Sequence, residues 1–224
     1  MNGQFIELER LLRHPKDIAE AARQGRVNSG IFVAALLAIV FGAGLFGAAL
    51  ASSRGGIQLL FSAVKLPVVC LMTLVLSTPA LTAIAAVLRR PLSLGGTSVL
   101  MLAAAGRASL VLLALAPVIW LAFDRGLAYH RGIIVACLCY GIAGLEALRM
   151  LRRGLGRDFR SLMIIGCFSL VLLPAGGQSA WLLRPYVGRP SQAHVPFLRG
   201  RESSFGESVH RSLFSSAEIY DESR

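Results

Sequence analysis

Arg107 interrupts an otherwise uncharged run from Ser98 to Phe123, and Glu146 falls inside a second apolar run from Gly132 to Leu148. A charged side chain among apolar neighbours is costly to desolvate, so it must be paired, reach water or serve a function. If the runs are antiparallel helices, Arg107 lies about nine residues, or roughly 13 Å of helical rise, into the first. Glu146 then lies near the same end of the second, and the two side chains can meet. The functional reading is a charge pair in a polar cavity or translocation path. The structural reading is a salt bridge, or two side chains that snorkel separately to one surface. The structural one is preferred, because a single pair is fewer ionisable groups than most ion pathways use.

The other candidates for chemistry fail on context. Gly42, Gly44 and Gly47 spell G-x-G-x-x-G, but no strand precedes them and no acidic residue follows at dinucleotide spacing. Small residues that let helices approach closely explain them better, and the same reading covers Ala103–Gly106 and Gly141–Gly144. Cys70, Cys137, Cys139 and Cys167 all fall in apolar runs without a C-x-x-C spacing, so neither a disulfide framework nor a zinc site is expected. His14, His130, His194 and His210 are scattered, and none stands at metal-ligand spacing from a second ligand. No nucleophile pairs with a base inside one layer of the chain. The sequence therefore gives no case for an enzyme, and no cofactor or metal is expected.

One stretch is dense in unusual residues: Gln178, Trp181, Arg184, Pro185, Tyr186, Gly188 and Pro190, followed by Pro196, Phe197 and Arg199. Trp181 and Tyr186 suit an interfacial aromatic belt, Arg184 suits lipid phosphates or helix C-terminal carbonyls, and Pro185 stops a helix. That many constrained residues in so short a stretch also fits a docking surface.

The elements that position these residues follow from composition. The 224 residues are 55% apolar and 16% charged, with a mean hydropathy of +0.64, values that place the chain in a bilayer rather than in water. A hydrocarbon core about 30 Å thick needs roughly 20 apolar residues as a helix. Five stretches qualify: Gly30–Ser52, Leu66–Leu88, Ser98–Phe123, Gly132–Leu148 and Leu162–Leu183. The last contains Pro174, Gly176 and Gly177, which membrane helices tolerate when neighbours re-satisfy the backbone. The expected fold is thus all-α, a polytopic bundle of five transmembrane helices. Residues 1–29 form a polar arm, 30–183 the membrane domain, and 184–224 a Pro-rich tail with a short amphipathic helix around Phe205, Val209 and Leu213.

The net charge of +11 is a topology signal rather than a nucleic-acid patch. Twelve Lys and Arg residues fall in the arm and in the loops around Arg89–Arg90 and Arg149–Arg160, against seven on the other side. The positive-inside rule then puts the arm in the cytoplasm and the tail opposite. No cleavable signal sequence is expected, since the first apolar run is too long for one.

Within the arm, Phe5, Leu8 and Leu12, with Ile6 and Leu11 beside them, make an apolar stripe on a helix that Pro15 interrupts; a second piece spans about Pro15 to Gln24. The stripe serves an interface, a partner or, preferably, the arm's own bundle. Ser53–Lys65 reads as a separate helix in the outer interface, turned into the membrane at Pro67, with one kinked continuous helix as the alternative.

At the Gln178–Pro190 stretch the chain resembles a group of bacterial polytopic membrane proteins with the pattern Q-x-x-W-x-L-R-P-[YF]-x-G-x-P after the last span. Ala63-Val-Lys65-Leu-Pro67 and Ala116-Pro117 share in the likeness, which in layout is similar to the five-span Yip-domain class. The resemblance implies a five-helix protein of the bacterial inner membrane and supplies no substrate. The expected role is a non-enzymatic subunit, scaffold or assembly factor with membrane-protein partners or a homo-oligomeric state. The alternative is a small transporter or channel component working through Arg107 and Glu146.

Overall fold

The computed structural model describes residues 2–24, 29–52, 55–90, 92–126 and 129–183. These form seven helices and no strand: α1 (Asn2–Arg13), α2 (Pro15–Arg23), α3 (Ser29–Ala51), α4 (Ile57–Val87), α5 (Leu94–Asp124), α6 (Tyr129–Leu155) and α7 (Phe159–Leu182). Five of them, α3 to α7, contain stretches long and apolar enough to cross a membrane. The protein is a multi-pass membrane protein with an all-helical fold. Val75, Leu76, Leu170 and Leu173 leave most of their surface open, an arrangement that water would penalise and lipid does not.

Short connections make successive spans antiparallel. The packing partners run α7, α4, α3, α5, α6 across the bundle, with lesser contacts of α4 with α5 and of α6 with α7. The centre is α3 and α5, each with 56% of its most apolar stretch buried, against 17% for α4 and α7. On the arm side of the bundle, every side chain from Leu100 to Ala104 on α5 is buried, packed with Leu11, Ile18, Ile39, Leu81, Met150 and Phe168.

The three glycines of α3 are packing surfaces, divided between two neighbours. A Cβ on Gly42 would collide with the Ser109 backbone of α5, and one on Gly47 with the Ser62 carbonyl of α4. Gly44 faces α4 too, where a Cβ would meet the Ala63 carbonyl at 3.2 Å. Successive helical residues are 100° apart, so this spacing serves two faces at once. Gly106 packs on Ala35 in the same way. Gly141 and Gly144 do not: nothing lies within 4 Å of a Cβ at either position. Ala143 between them is buried against the bundle, so α6 packs here by one face and leaves its two glycines open on the other.

The separate outer helix over Ser53–Lys65 is also corrected. Ile57–Val87 is one helix of 31 residues with Pro67 and Pro79 inside it, about 46 Å long by helical rise. Pro67 lacks the N–H that the Ala63 carbonyl needs, and that carbonyl is the one Gly44 packs against. Gln58, Ser62 and Lys65 are buried on the first turns of α4, and the Lys65 ammonium lies 6.0 Å from the Phe61 ring centroid. Further along, Thr73, Ser77, Thr78 and Thr82 each donate a hydroxyl to the carbonyl four residues earlier, so these polar groups cross the membrane satisfied. The fourth span is longer than Gly132–Leu148, its apolar stretch running from Ile134 to Leu155. The last span is one helix through Pro174, Gly176 and Gly177.

Helix ends follow from local chemistry. Ser93 caps α5, its hydroxyl accepting from the Gly96 N–H at 3.0 Å. α6 stops at Gly156, whose φ of +107° suits glycine and whose N–H reaches the Arg152 carbonyl at 2.9 Å. α4 stops with Arg89 in the left-handed region at φ +57°. There Arg89 N–H bonds Ala86 O at 3.0 Å and Arg90 N–H bonds Ala85 O at 2.8 Å, a Schellman ending without its usual glycine.

Candidate functional site

Arg107 and Glu146 meet. The Arg107 Nε donates to Glu146 Oε1 at 3.0 Å and one of its terminal nitrogens to the same oxygen at 2.5 Å. Both side chains are largely buried, 12% and 16% exposed. Arg149 and Arg153 also approach the carboxylate, at 3.5 and 3.7 Å. One carboxylate therefore faces three guanidinium groups. Arg153 Nη1 is buried and makes no hydrogen bond, so Glu146 holds it by charge alone.

The other half of Arg107 does something the sequence reading missed. Its second terminal nitrogen donates to the Leu11 carbonyl at 2.5 Å and the Leu12 carbonyl at 2.8 Å, both at the end of α1. In a continuous helix Leu11 O would accept from the N–H of residue 15. Residue 15 is proline and has none. The break that separates α1 from α2 exposes a carbonyl within the bundle, and the arginine of α5 fills the vacancy. The cation also stands at the negative end of the α1 dipole. The signal was present in the sequence, in Pro15 standing four residues after Leu11, but the donor lies 96 residues away.

No family model, characterised protein or solved structure matches this chain. Its geometry therefore carries the functional argument by itself.

A second arginine repeats the device. Arg90, aimed by the left-handed turn at Arg89, donates to the Leu155 carbonyl at the end of α6 and pairs with Asp158 at 2.9 Å. The Ser161 hydroxyl bonds both the Leu155 carbonyl, at 2.9 Å, and Asp158 Oδ1, at 2.5 Å. That hydroxyl first, and the Arg90 charge after it, hold the Asp158 carboxyl below the usual carboxylate range. A Cβ on Gly156 would strike the Arg90 guanidinium. The α4–α5 and α6–α7 turns are thus locked together on the arm side.

The arm itself is divided between core and surface. Leu11 is fully buried and so are Ile18, Ala19 and Ala22 of α2, whereas Phe5, Ile6 and Leu12 are exposed at 67%, 57% and 49%. An apolar groove of about 460 Å³ runs between α1, α3 and α5, with Phe5, Leu8, Phe41 and Leu110 among its walls.

Among the described residues, the remaining candidates do not group into a reactive constellation. Cys70 is half-buried, Cys139 buried, and Cys137 and Cys167 open to the lipid-facing surface; all four are free thiols. Among the described residues, no three His, Cys, Asp or Glu side chains group as metal ligands. His14 sits 3.7 Å from Asp17 on the arm. Of the proposed docking motif, Gln178 and Trp181 lie on the last turns of α7, while Arg184, Pro185, Tyr186, Gly188 and Pro190 lie outside the described residues.

Proposed function

We propose that this protein is a non-enzymatic subunit, scaffold or assembly factor of a membrane complex in the bacterial inner membrane, with its arm on the cytoplasmic side. The observation that carries the reading is the open small-residue face of α6. Gly141 and Gly144 have nothing within 4 Å of a Cβ, and Cys137, Leu138 and Leu145 on the same helix are exposed. Exposure to lipid is ordinary for leucine. Glycines there bare the backbone to an approaching helix, and close backbone approach is what drives helix association in a bilayer.

The charge pair supports the same reading. Four hydrogen bonds of Arg107 go to Glu146 and to two helix-end carbonyls, fixed groups whose loss would undock the arm. A transporter or channel component working through Arg107 and Glu146 would need the pair to exchange partners, and this commitment counts against it.

The test is affinity purification of the full chain from its native membrane in mild detergent, followed by mass spectrometry. Wild type should retain stoichiometric partner proteins, and the Gly141→Leu, Gly144→Leu double variant should lose them while keeping its helical content. A lone monomer, a homo-oligomer without other proteins, or undiminished capture by the variant would overturn the proposal.

A further inference from the structure

On the arm side, a pocket of about 210 Å³ opens between the end of α2, the α4–α5 turn and the end of α6, lined by Arg23, Arg90, Leu92, Gly154 and Leu155. Its volume is well above the roughly 30 Å³ that one water occupies. Two guanidinium groups from separate elements face it, and they differ in how they are held. Arg90 is anchored on the Leu155 carbonyl and on Asp158. Of the five N–H donors of an arginine, these contacts leave three for another acceptor in a fork that is already fixed. Arg23 is half exposed, and its ion pair with Glu20 is loose at 3.5 Å. Glu20 also accepts from Gln24 at 2.9 Å, so it does not depend on Arg23.

The surroundings add positive charge. Arg89, Arg152, Arg157 and Arg160 make no ion pair among the described residues. Val87 and Phe159, next to these arginines in sequence, are 80% and 74% exposed. Apolar side chains beside arginines at the end of membrane spans stand where lipid tails meet phosphates. A planar fork with spare donors matches the oxygens of a phosphate.

We infer that the pocket between Arg23 and Arg90 binds a phosphate group, which bridges the arm to the locked turns of the bundle. The shared chemistry is a phosphate oxyanion between two guanidinium groups; its source is either the headgroup of an acidic phospholipid or a free phosphate.

The experiment uses full-length protein in detergent micelles, titrated in separate arms with phosphatidylglycerol and with inorganic phosphate, with bound ligand read by native mass spectrometry. Arg90 is part of the fold, so the variant is Arg23→Gln, which leaves the buried Ile18, Ala19 and Ala22 in place. A melting curve checks that it stays folded. Arg160→Gln, an exposed arginine outside the pocket lining, is the control. A direct hydrogen bond between charged groups contributes at least about a ten-fold change in affinity. Arg23→Gln should lose about that much, and Arg160→Gln should not. Dependence on Arg23 in the lipid arm identifies a headgroup, and in the phosphate arm a free anion. Equal losses in the two variants would mean diffuse surface attraction, and no loss in Arg23→Gln would mean an unused pocket; either overturns the inference.

Discussion

Replacing Arg107 with methionine keeps a long apolar stem on α5 and removes four hydrogen bonds, two to Glu146 and two to the carbonyls that end α1. Removing one partner of a buried pair costs about 3–5 kcal/mol, mostly because the other charge is stranded. Arg149 and Arg153 stay near Glu146 at 3.5 and 3.7 Å, which places the cost at the lower end, about 3 kcal/mol or roughly two decades in an equilibrium constant. Glu146 keeps Arg149 and Arg153 as partners, so adding Glu146→Leu to Arg107→Met leaves the buried Arg153 without its counter-charge and should destabilise further. Pro15→Ala acts on the other half of the junction. It restores an N–H within reach of the Leu11 carbonyl and should recover about 1 kcal/mol in the Arg107→Met background. Global stability is read by reversible unfolding in mixed SDS and mild detergent, followed by circular dichroism. Arm docking is read by trypsin cleavage after Arg10 and Arg13, which should accelerate in Arg107→Met and slow again with Pro15→Ala. Unchanged cleavage in Arg107→Met, or no slowing of that cleavage with Pro15→Ala, would refute the junction.

Other outcomes follow from the turns and glycines. Asp158 has a depressed carboxyl pKa in the folded protein, so its contribution is complete above the ordinary carboxylate value, about 3.9. That contribution is lost as pH falls through the lower folded value. Asp158→Asn should accordingly flatten the acid limb of stability against pH, and an unaltered limb would contradict the Ser161 and Arg90 contacts. Gly156→Ala combines a φ of +107° with a clash against Arg90 and should cost about 1–3 kcal/mol. Gly141→Ala, which meets nothing, should stay within about 0.5 kcal/mol in the monomer; the two melting midpoints side by side make the check. Arg89→Gly relieves the left-handed backbone and should stabilise by about 1 kcal/mol, measured as a higher unfolding midpoint.

The five spans were legible because length and lack of charge suffice to recognise a bilayer helix, and the meeting of Arg107 with Glu146 followed from antiparallel neighbours and rise per residue. The roles of Gly42, Gly44 and Gly47 were legible as close packing, though which neighbour each one faces depends on the order of helices around the bundle. Ser53–Lys65 misled because Pro67 reads as a break in water, whereas Gly44 covers the carbonyl that Pro67 leaves without a donor; Gly55 and Gly56, both at positive φ, do mark the turn before α4. The small residues at Gly141 and Gly144 announce a packing face without saying whose. Arg90 and Arg107 as caps were beyond the sequence, since each cap joins a side chain to a backbone carbonyl 65 or 96 residues away; Pro15 marks the Leu11 carbonyl as lacking its helical donor, but nothing in a string of residue types names the replacement.

The bond from Arg107 back to Leu11 spans 96 residues of chain, and that separation has a meaning in time. Synthesis at about 5–20 residues per second puts roughly 5–20 s between the emergence of α1 and that of the arginine that seats it. Throughout that interval α1 can pack on α3, its main neighbour, while the Leu11 and Leu12 carbonyls wait for their donor. The C-terminal end of α1 is therefore sealed late, once α5 has supplied Arg107 and α6 has supplied the Glu146 carboxylate that holds it.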